Sequence, residues 1–183
     1  MTFQPSDRVV YPGYGAGIIV GIEDKIFVGT TTRYYMLKMV ADEGEFMVPV
    51  ERAESLGIRS VLDSEVIQEI LQGVPNDLAD DYKERQATVM RLLATSDAAQ
   101  MAEAARDLAW FSGFRQLTGR DVQLYEELQT LLASELALSL YINLDEAREQ
   151  LARTLSEITE GAELKKAELE RAELERAEQE EAE

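Results

Sequence analysis

A change of hydrophobic period near residue 60 constrains the fold more than any other feature of the sequence. Over the first fifty residues, β-branched and aromatic residues alternate with polar ones in short runs bounded by Gly, Pro and Asp. After Gly57-Ile58-Arg59, apolar residues recur every three to four positions, which is the period of an amphipathic helix. The sequence therefore predicts an α+β protein of two modules, a β module followed by an all-α one.

The β module is predicted to contain four or five short strands. We place the clearest of them near residues 7–11, 17–24, 31–40 and 45–50. The run from Tyr11 to Gly17 ends the first strand, because Pro12 cannot donate to a ladder and the glycines permit positive φ. Asp42-Glu43-Gly44 has the composition of a hairpin turn between the third and fourth strands. So many short strands in sixty residues predict a small, strongly bent barrel.

The following hundred residues contain five helix-start signals, each a Ser, Thr, Asn or Asp placed before an apolar-periodic run. In two of them an acidic residue follows three positions later, as in a capping box. The signals are Asp63, Asn76 or Asp77, Ser96 or Asp97, Thr118 with Asp121, and Asn143 with Glu146. They predict a compact helical bundle.

The last segment repeats the pattern AELKK, AELER, AELER from Ala162 onward. Five residues rotate a helix by about 140° beyond a full turn, so Leu164, Leu169 and Leu174 do not share a face. Opposite charges at i,i+4 favour a solvated single helix over a coiled coil, and we expect a monomer. These pairs are Lys166–Glu170, Arg171–Glu175 and Arg176–Glu180. The predicted divisions are 1–60, 61–160 and an acidic helical tail, 161–183.

The formal net charge of −18 is concentrated beyond residue 60. Residues 1–60 carry 6 basic and 8 acidic groups, residues 61–160 carry 8 and 19, and residues 161–183 carry 4 and 9. Because Lys and Arg contacts with phosphate supply most non-specific affinity for nucleic acid, the average helical surface repels DNA. Any DNA contact must be local and supported by another anchor.

The residue inventory removes the commonest catalytic and metal-binding groups. The chain has no histidine and no cysteine, which excludes imidazole bases, the usual catalytic triads and thiolate metal sites. Four carboxylates at helical spacing could in principle hold a hard divalent cation, although this arrangement is more often a solvated acidic face. They are Asp77, Asp80, Asp81 and Glu84. We expect no enzyme, no cofactor and no metal, and rank a metal-dependent carboxylate enzyme last.

The sequence also bears on localisation. Its first residues, MTFQPSDR, have neither the basic start nor the apolar region of a signal peptide. No stretch approaches the roughly eighteen apolar residues of a membrane span. Together with the lack of cysteine, this predicts a soluble cytoplasmic protein.

Four short motifs of the β module occur at a characteristic spacing. They are Val9-Val10-Tyr11-Pro12-Gly13-Tyr14-Gly15-Ala16-Gly17, Tyr34-Tyr35-Met36-Leu37-Lys38, Val48-Pro49-Val50 and Gly57-Ile58-Arg59. With this pattern the module resembles the CarD family of bacterial transcription regulators and the RNA-polymerase-interacting domain of transcription-repair coupling factor. The helical part is similar too, around Tyr82-Lys83, Ala105–Leu108 and Leu132–Leu136, so the resemblance extends to about residue 158.

The resemblance implies a Tudor-like barrel that binds the lobe of the RNA polymerase β subunit and a helical domain that touches upstream promoter DNA. In such proteins an aromatic wedge enters the minor groove at the edge of the opening bubble and slows its collapse. On the polymerase face, the resemblance implies contacts from Lys25, Phe27 and Met47. Met47 replaces a second basic residue of some relatives. The alternative is that Phe27 and Met47 fill the barrel.

On the DNA face, the resemblance implies contacts from Leu78, Lys83 and Arg85. Leu78 stands where relatives have the wedge tryptophan. Asp80 and Asp81 replace two basic residues, and carboxylates beside a phosphate backbone oppose the contact. The sole tryptophan, Trp110, is expected to pack in the core and not to act as a displaced wedge.

Two regulator hypotheses follow. In the first, the protein binds the polymerase β subunit and acts on the promoter open complex. In the second, it is a divergent polymerase-binding adaptor, competitor or DNA mimic that has lost promoter contact. The acidic helical part is compatible with the second hypothesis, whereas the β module is common to both.

Overall fold

The computed structural model of the chain describes residues 2–41 and 44–181. The side chains of Phe27 and of residues 177–181 are not part of this description. The turn predicted at Asp42-Glu43-Gly44 therefore lies, in its first two residues, outside the described part. Within that part, five strands precede five α-helices, so the predicted α+β class is confirmed.

The β module is a single antiparallel sheet. Its strands are β1 Arg8–Tyr11, β2 Gly15–Phe27, β3 Thr30–Met39, β4 Glu45–Pro49 and β5 Arg59–Ser60, with a 3-10 turn at Val50–Arg52. Their order across the sheet is β4-β3-β2-β1-β5. The four placed strands are confirmed. β2 begins earlier than predicted because Gly15 and Ala16 already pair with Tyr11 and Val10.

The sheet is open among the described residues, with β4 and β5 as its two edges, so the predicted closed barrel is not confirmed. The register of β2 against β3 shifts between Ile19 and Gly21. Such a shift marks a β-bulge, which bends a strand and increases its twist. The apolar core of the module includes Phe3, Val9, Ile19, Tyr35, Leu37, Met39, Val48, Ala53 and Ile58.

The helical part begins directly after β5. Its helices are α1 Ser64–Leu71, α2 Tyr82–Ala94, α3 Ala98–Phe114, α4 Gly119–Leu140 and α5 Leu144–Glu181. Four of the five predicted starts are confirmed. Asp63 accepts from the Glu65 amide, Asp97 caps α3, and the reciprocal capping bonds of α4 and α5 both form. In the described part of the chain, no helix is long and apolar enough to cross a membrane.

The predicted start of α2 at Asn76 or Asp77 is wrong. The helix begins at Tyr82, and Asp81 is its cap, with Oδ1 accepting from the Lys83 and Glu84 amides at 3.0 Å each. Residues 74–81 form a non-helical connection between α1 and α2. Asn76 does not cap a helix here, and both its backbone amide and its side-chain Nδ2 donate to Asp107 on α3.

Helix α5 packs closely along α3. A Cβ atom at Gly113 would lie 2.5 Å from the Cβ of Ala162 and 2.6 Å from the Thr159 carbonyl oxygen, so only glycine permits this approach. Ala162 is fully buried. The helix passes residue 160 without a break, and its exposed part begins at Glu163.

Helix α4 joins the two modules. Arg59 of β5 donates to both carboxylate oxygens of the buried Glu135, at 2.6 and 2.8 Å. Glu135 also accepts from the Leu62 amide at 2.7 Å. Near it, Ser134 Oγ accepts from the Ala16 amide at 3.0 Å. Gly15 has φ +90°, and a Cβ there would lie 2.8 Å from Ser134 Oγ, so the glycine-rich run permits the close approach of strand and helix.

Candidate functional site

The register of the sheet places the three predicted polymerase contacts on one face. Lys25 pairs with Thr32, and Phe27 pairs with Thr30. Met47 pairs with Met36, which pairs in turn with Gly21. Because alternate residues of a strand point to the same side, residues 21, 25 and 27 of β2 share a face with Met47. We call the side of the sheet that holds Lys25, Met36 and Met47 the outer face.

Met47 is 48% exposed, so the alternative that it fills the interior is wrong. Its neighbour Val48 points the other way and is 1% exposed. Lys25 is partly exposed and forms an ion pair with Glu23 on the same strand at 2.5 Å. For Phe27 the backbone position lies on the outer face, whereas its side chain belongs to the part that is not described.

Sequence reasoning missed two further residues of the outer face, Tyr34 and Met36. Both are partly buried, and their partners across β4 are Pro49 and Met47. Tyr34 also pairs with Glu23. The signal was available, because the alternation of β3 assigns Tyr34 and Met36 to the side opposite the buried Tyr35 and Leu37.

The predicted wedge residue, Leu78, lies in the middle of the connection between α1 and α2. It is partly buried and packs against the helical core. Leu78 also lines a groove of about 390 Å³, one wall of which is formed by α3. The lining residues are Asn76, Asp77, Leu78, Asp80, Trp110, Phe111, Phe114 and Arg115. Leu78 thus lies against a partly aromatic surface.

The sole tryptophan contributes to this groove. Trp110 is partly buried, and its ring centroid lies 5.5 Å from that of Phe114. A Cβ at Gly161 of α5 would lie 3.9 Å from Trp110 Cζ3. The expectation of a core role is therefore met in part: Trp110, on α3, packs beside α5 but also lines the groove beside Leu78.

The two carboxylates near Leu78 have separate structural roles. Asp80 forms an ion pair with Arg115 at 3.0 Å, in which both side chains are more than half exposed. Asp81 caps α2. The arginine thus compensates part of the negative charge beside Leu78, a partner that sequence reasoning did not identify.

The two predicted cations differ in position. Lys83 is exposed, and its ammonium lies 5.8 Å from the Tyr82 ring centroid. Arg85 is 3% exposed, and its Nη2 donates to Asp121 Oδ2 at 2.6 Å. Its guanidinium also stacks 4.3 Å from the Phe111 ring centroid. We therefore correct the expected DNA contact at Arg85, because this charge is buried and paired within the protein.

The carboxyl of Asp121 is adapted to this pairing. Burial by itself would raise the pKa of Asp121, but hydrogen bonds from Arg85 and from Thr118 outweigh it, and the pKa lies below its ordinary value. Thr118 donates both its amide and its hydroxyl to Asp121 Oδ2, at 3.0 and 2.8 Å. The acidic residue of the α4 capping box is therefore also the anion that holds Arg85.

The four carboxylates considered as metal ligands do not converge. Asp80 and Asp81 have the separate partners described above, and Asp77 and Glu84 are exposed. Across residues 2–41 and 44–181, no group of three or more acidic side chains is arranged to hold a metal ion.

Both modules match known families. Residues 3–62 match the family model described as CarD-like/TRCF RID domain, and residues 66–152 match the model described as CarD, C-terminal domain. A Bacillus subtilis (strain 168) protein named "Putative transcription factor YdeB" is 30% identical over 137 residues, covering 73% of this chain and 90% of that protein. The chain belongs to the CarD family of transcription regulators.

Proposed function

We propose that the protein is a non-enzymatic, monomeric regulator of transcription initiation that acts in the cytoplasm. It binds the β subunit of RNA polymerase through residues 1–60, a Tudor-like module, and acts on the promoter open complex through residues 61–160. Residues 161–183 form an acidic appendage. The observation that carries the proposal is the outer face, on which Lys25, the Phe27 position and Met47 share one side of the sheet in the module that matches a polymerase-interacting domain.

The outer face has the composition expected of a protein interface. Met47 is an exposed apolar side chain flanked by Met36 and Tyr34, with charged groups at Lys25 and Glu23. Interfaces commonly have an apolar centre and a polar rim, and methionine adapts its shape to irregular partners. This arrangement supports docking through contacts that are more apolar than in relatives with a second basic residue.

The polymerase contact is tested by charge insertion on the two sides of the sheet. Met47→Glu should weaken binding of the full chain to the isolated β-subunit lobe by about tenfold or more, since it buries an unpaired charge. Ile26→Glu is the matched control, because Ile26 is 72% exposed on β2 but lies on the opposite side of the sheet from Lys25. Equal binding by both variants would overturn the assignment of the outer face.

On the promoter, Leu78 is the proposed wedge and Lys83 the proposed phosphate contact. Unstacking a base step costs about a few kcal/mol, which an inserted apolar side chain partly offsets. Attachment to polymerase raises the effective concentration of the helical domain, so weak DNA affinity is sufficient. The Asp80–Arg115 pair reduces the repulsion that Asp80 would exert on a nearby phosphate.

A polymerase-bound adaptor without DNA contact is the second candidate. It is favoured by the burial of Arg85, which removes one of the three predicted DNA contacts. Open-complex lifetime separates the two candidates: the wedge proposal expects the protein to lengthen it and Leu78→Ala to reverse most of that effect. An unchanged lifetime with polymerase binding intact would favour the adaptor.

A further inference from the structure

The connection that carries Leu78 is held at its start by a buried carboxylate. The Asn76 amide donates to Asp107 Oδ1 and Asn76 Nδ2 donates to Asp107 Oδ2, both at 3.0 Å. Asp107 is 4% exposed and also accepts from Arg106 Nε at 2.9 Å. Arg106 in turn donates to the Ile70 carbonyl at 3.0 Å, at the end of α1. The connection therefore leaves α1 along a path fixed by α3.

Its other end is held by the buried arginine. Arg85 Nη1 donates to the carbonyl oxygens of Ala79 and Asp80, at 2.8 and 3.1 Å. These are the two residues that follow Leu78. Arg85 itself is held by Asp121 and by the Phe111 ring. Leu78 thus lies between two anchors, each supplied by charged side chains of the helices.

The Arg85–Asp121 pair is poorly explained by stability alone. Buried ion pairs often stabilise a protein no better than apolar residues of the same volume. Here Arg85 Nε and Asp121 Oδ1 have no hydrogen-bond partner within the described residues although both are buried. The same guanidinium directs Nη1 at two carbonyls of an irregular segment, so its geometry serves the backbone beside Leu78.

We propose that Arg85 is a positioning residue, which together with Asp121 and the Asn76–Asp107 contact fixes the backbone of residues 76–81 and thereby the direction in which Leu78 is presented. An irregular segment without such anchors would open locally at little cost. Holding it in place removes an ordering cost from the insertion of Leu78 between bases. The promoter arm of this inference rests on the proposed function, whereas its backbone arm does not.

Two substitutions separate positioning from general stability. Arg85→Lys retains a charge for Asp121 but cannot form the same fork to two carbonyls, whereas Arg85→Gln loses the charge. We expect Arg85→Lys to unfold at a higher denaturant concentration than Arg85→Gln, yet to exchange the Asn76 amide, which donates to Asp107, about tenfold faster than the unsubstituted protein. Arg115→Ala is the matched control, since Arg115 touches the same segment from the surface.

A third variant tests the first anchor while leaving the buried Arg85 unchanged, so that the inference stays testable if the Arg85 variants do not fold. Asn76→Asp is isosteric and exposed, and it places a carboxylate against Asp107 at the first anchor. Quenching of the sole tryptophan reports on all variants, because Trp110 lines the groove beside Leu78. Acrylamide should quench Trp110 more strongly in Arg85→Lys and Asn76→Asp than in the unsubstituted protein. Unchanged quenching in both variants and unchanged exchange of the Asn76 amide in Arg85→Lys would overturn the positioning role.

The promoter arm uses the full chain bound to polymerase on a melted promoter. We expect Arg85→Lys to shorten open-complex lifetime to the value found with Leu78→Ala, and the double variant to shorten it no further. If Leu78→Ala shortens the lifetime and Arg85→Lys does not, the inference is wrong while the proposed function stands. If faster exchange is found but neither variant alters the lifetime, positioning of the backbone is supported and the promoter function is overturned.

Discussion

The outer face of the sheet and the connection that carries Leu78 are organised by different physical means. On the outer face, strand register alone determines which side chains lie together, so Lys25 and Met47 share a side without touching buried groups. In the connection, no regular backbone pattern fixes Leu78, and buried charged side chains from α2 and α3 do so instead. The outer face should therefore tolerate substitution of the residues that surround Lys25 and Met47. The connection should not tolerate substitution of the buried residues that hold Leu78.

The largest effect is expected where a buried charge joins the two modules. Glu135→Ala removes the carboxylate that accepts from Arg59 and from the Leu62 amide, while Arg59 keeps its bonds to the Ser96 carbonyl, and should lower the free energy of unfolding by about 3 kcal/mol. Urea unfolding measures the change. The control Glu175→Ala removes only the exposed pair with Arg171, and a comparable loss there would contradict the distinction between buried and surface charges.

Protonation of Asp121 tests the anchor of the connection. Because the pKa of Asp121 in the folded protein lies below its unfolded value, its contribution to stability is present above the unfolded pKa and is lost as pH falls through the folded one. Asp121→Asn should therefore cost about 1–3 kcal/mol at neutral pH, and the difference should shrink in acid. A pH-independent difference between the two unfolding curves would show that the charge is not responsible.

In the β module, we expect the backbone geometry at Gly15 to affect the free energy of unfolding. Gly15→Ala adds a Cβ that would meet Ser134 Oγ at a residue with φ +90°, and should cost about 1–3 kcal/mol. Gly13→Ala is the control, since its φ is +78° but no atom lies within 4 Å of the added Cβ. Thermal unfolding measures the loss of stability in each variant. The difference between the two losses reports the steric contact of the added Cβ with Ser134. Equal losses would assign the whole effect to backbone strain.

The smallest effect is expected at the end of α5. Removal of residues 163–183 leaves the buried Ala162 in place and deletes a segment that is largely exposed over residues 163–176. It should change the free energy of unfolding by less than about 1 kcal/mol, and polymerase binding should be unaffected. A larger loss of stability would mean that the extension contacts the body of the protein.

Local sequence signals predicted most of the fold. The caps at Asp63, Asp97 and Thr118 were found because each acts within the first turn of its own helix. The start of α2 was missed because Asn76 and Asp77 are equally good caps by composition. Asp107, 31 residues further along the chain, accepts from the Asn76 amide and side chain and holds this residue in the connection. A contact of this kind between a connection and a distant helix has no local signature.

The candidate site was predictable to different degrees in its two halves. Strand alternation would have grouped Tyr34 with Met36 from the sequence alone, whereas grouping Lys25 with Met47 required the register of β2, β3 and β4. The burial of Arg85 required its distant partner Asp121. One local signal existed, because Arg85 and the buried Val89 are spaced i,i+4 and therefore lie on the same helix stripe.

Under the proposed function, the length of α5 determines how strongly its charges would act on DNA bound beside Leu78. At 1.5 Å per residue, the part from Glu163 to Glu181 extends about 28 Å along the axis beyond Ala162, whereas the Debye length at physiological ionic strength is about 8 Å. The extension begins beside Gly113, close to the groove that contains Leu78. At physiological ionic strength, only the carboxylates at the start of the extension would therefore repel a phosphate bound at that groove. In dilute buffer, where screening reaches about 30 Å, the whole extension would repel the duplex.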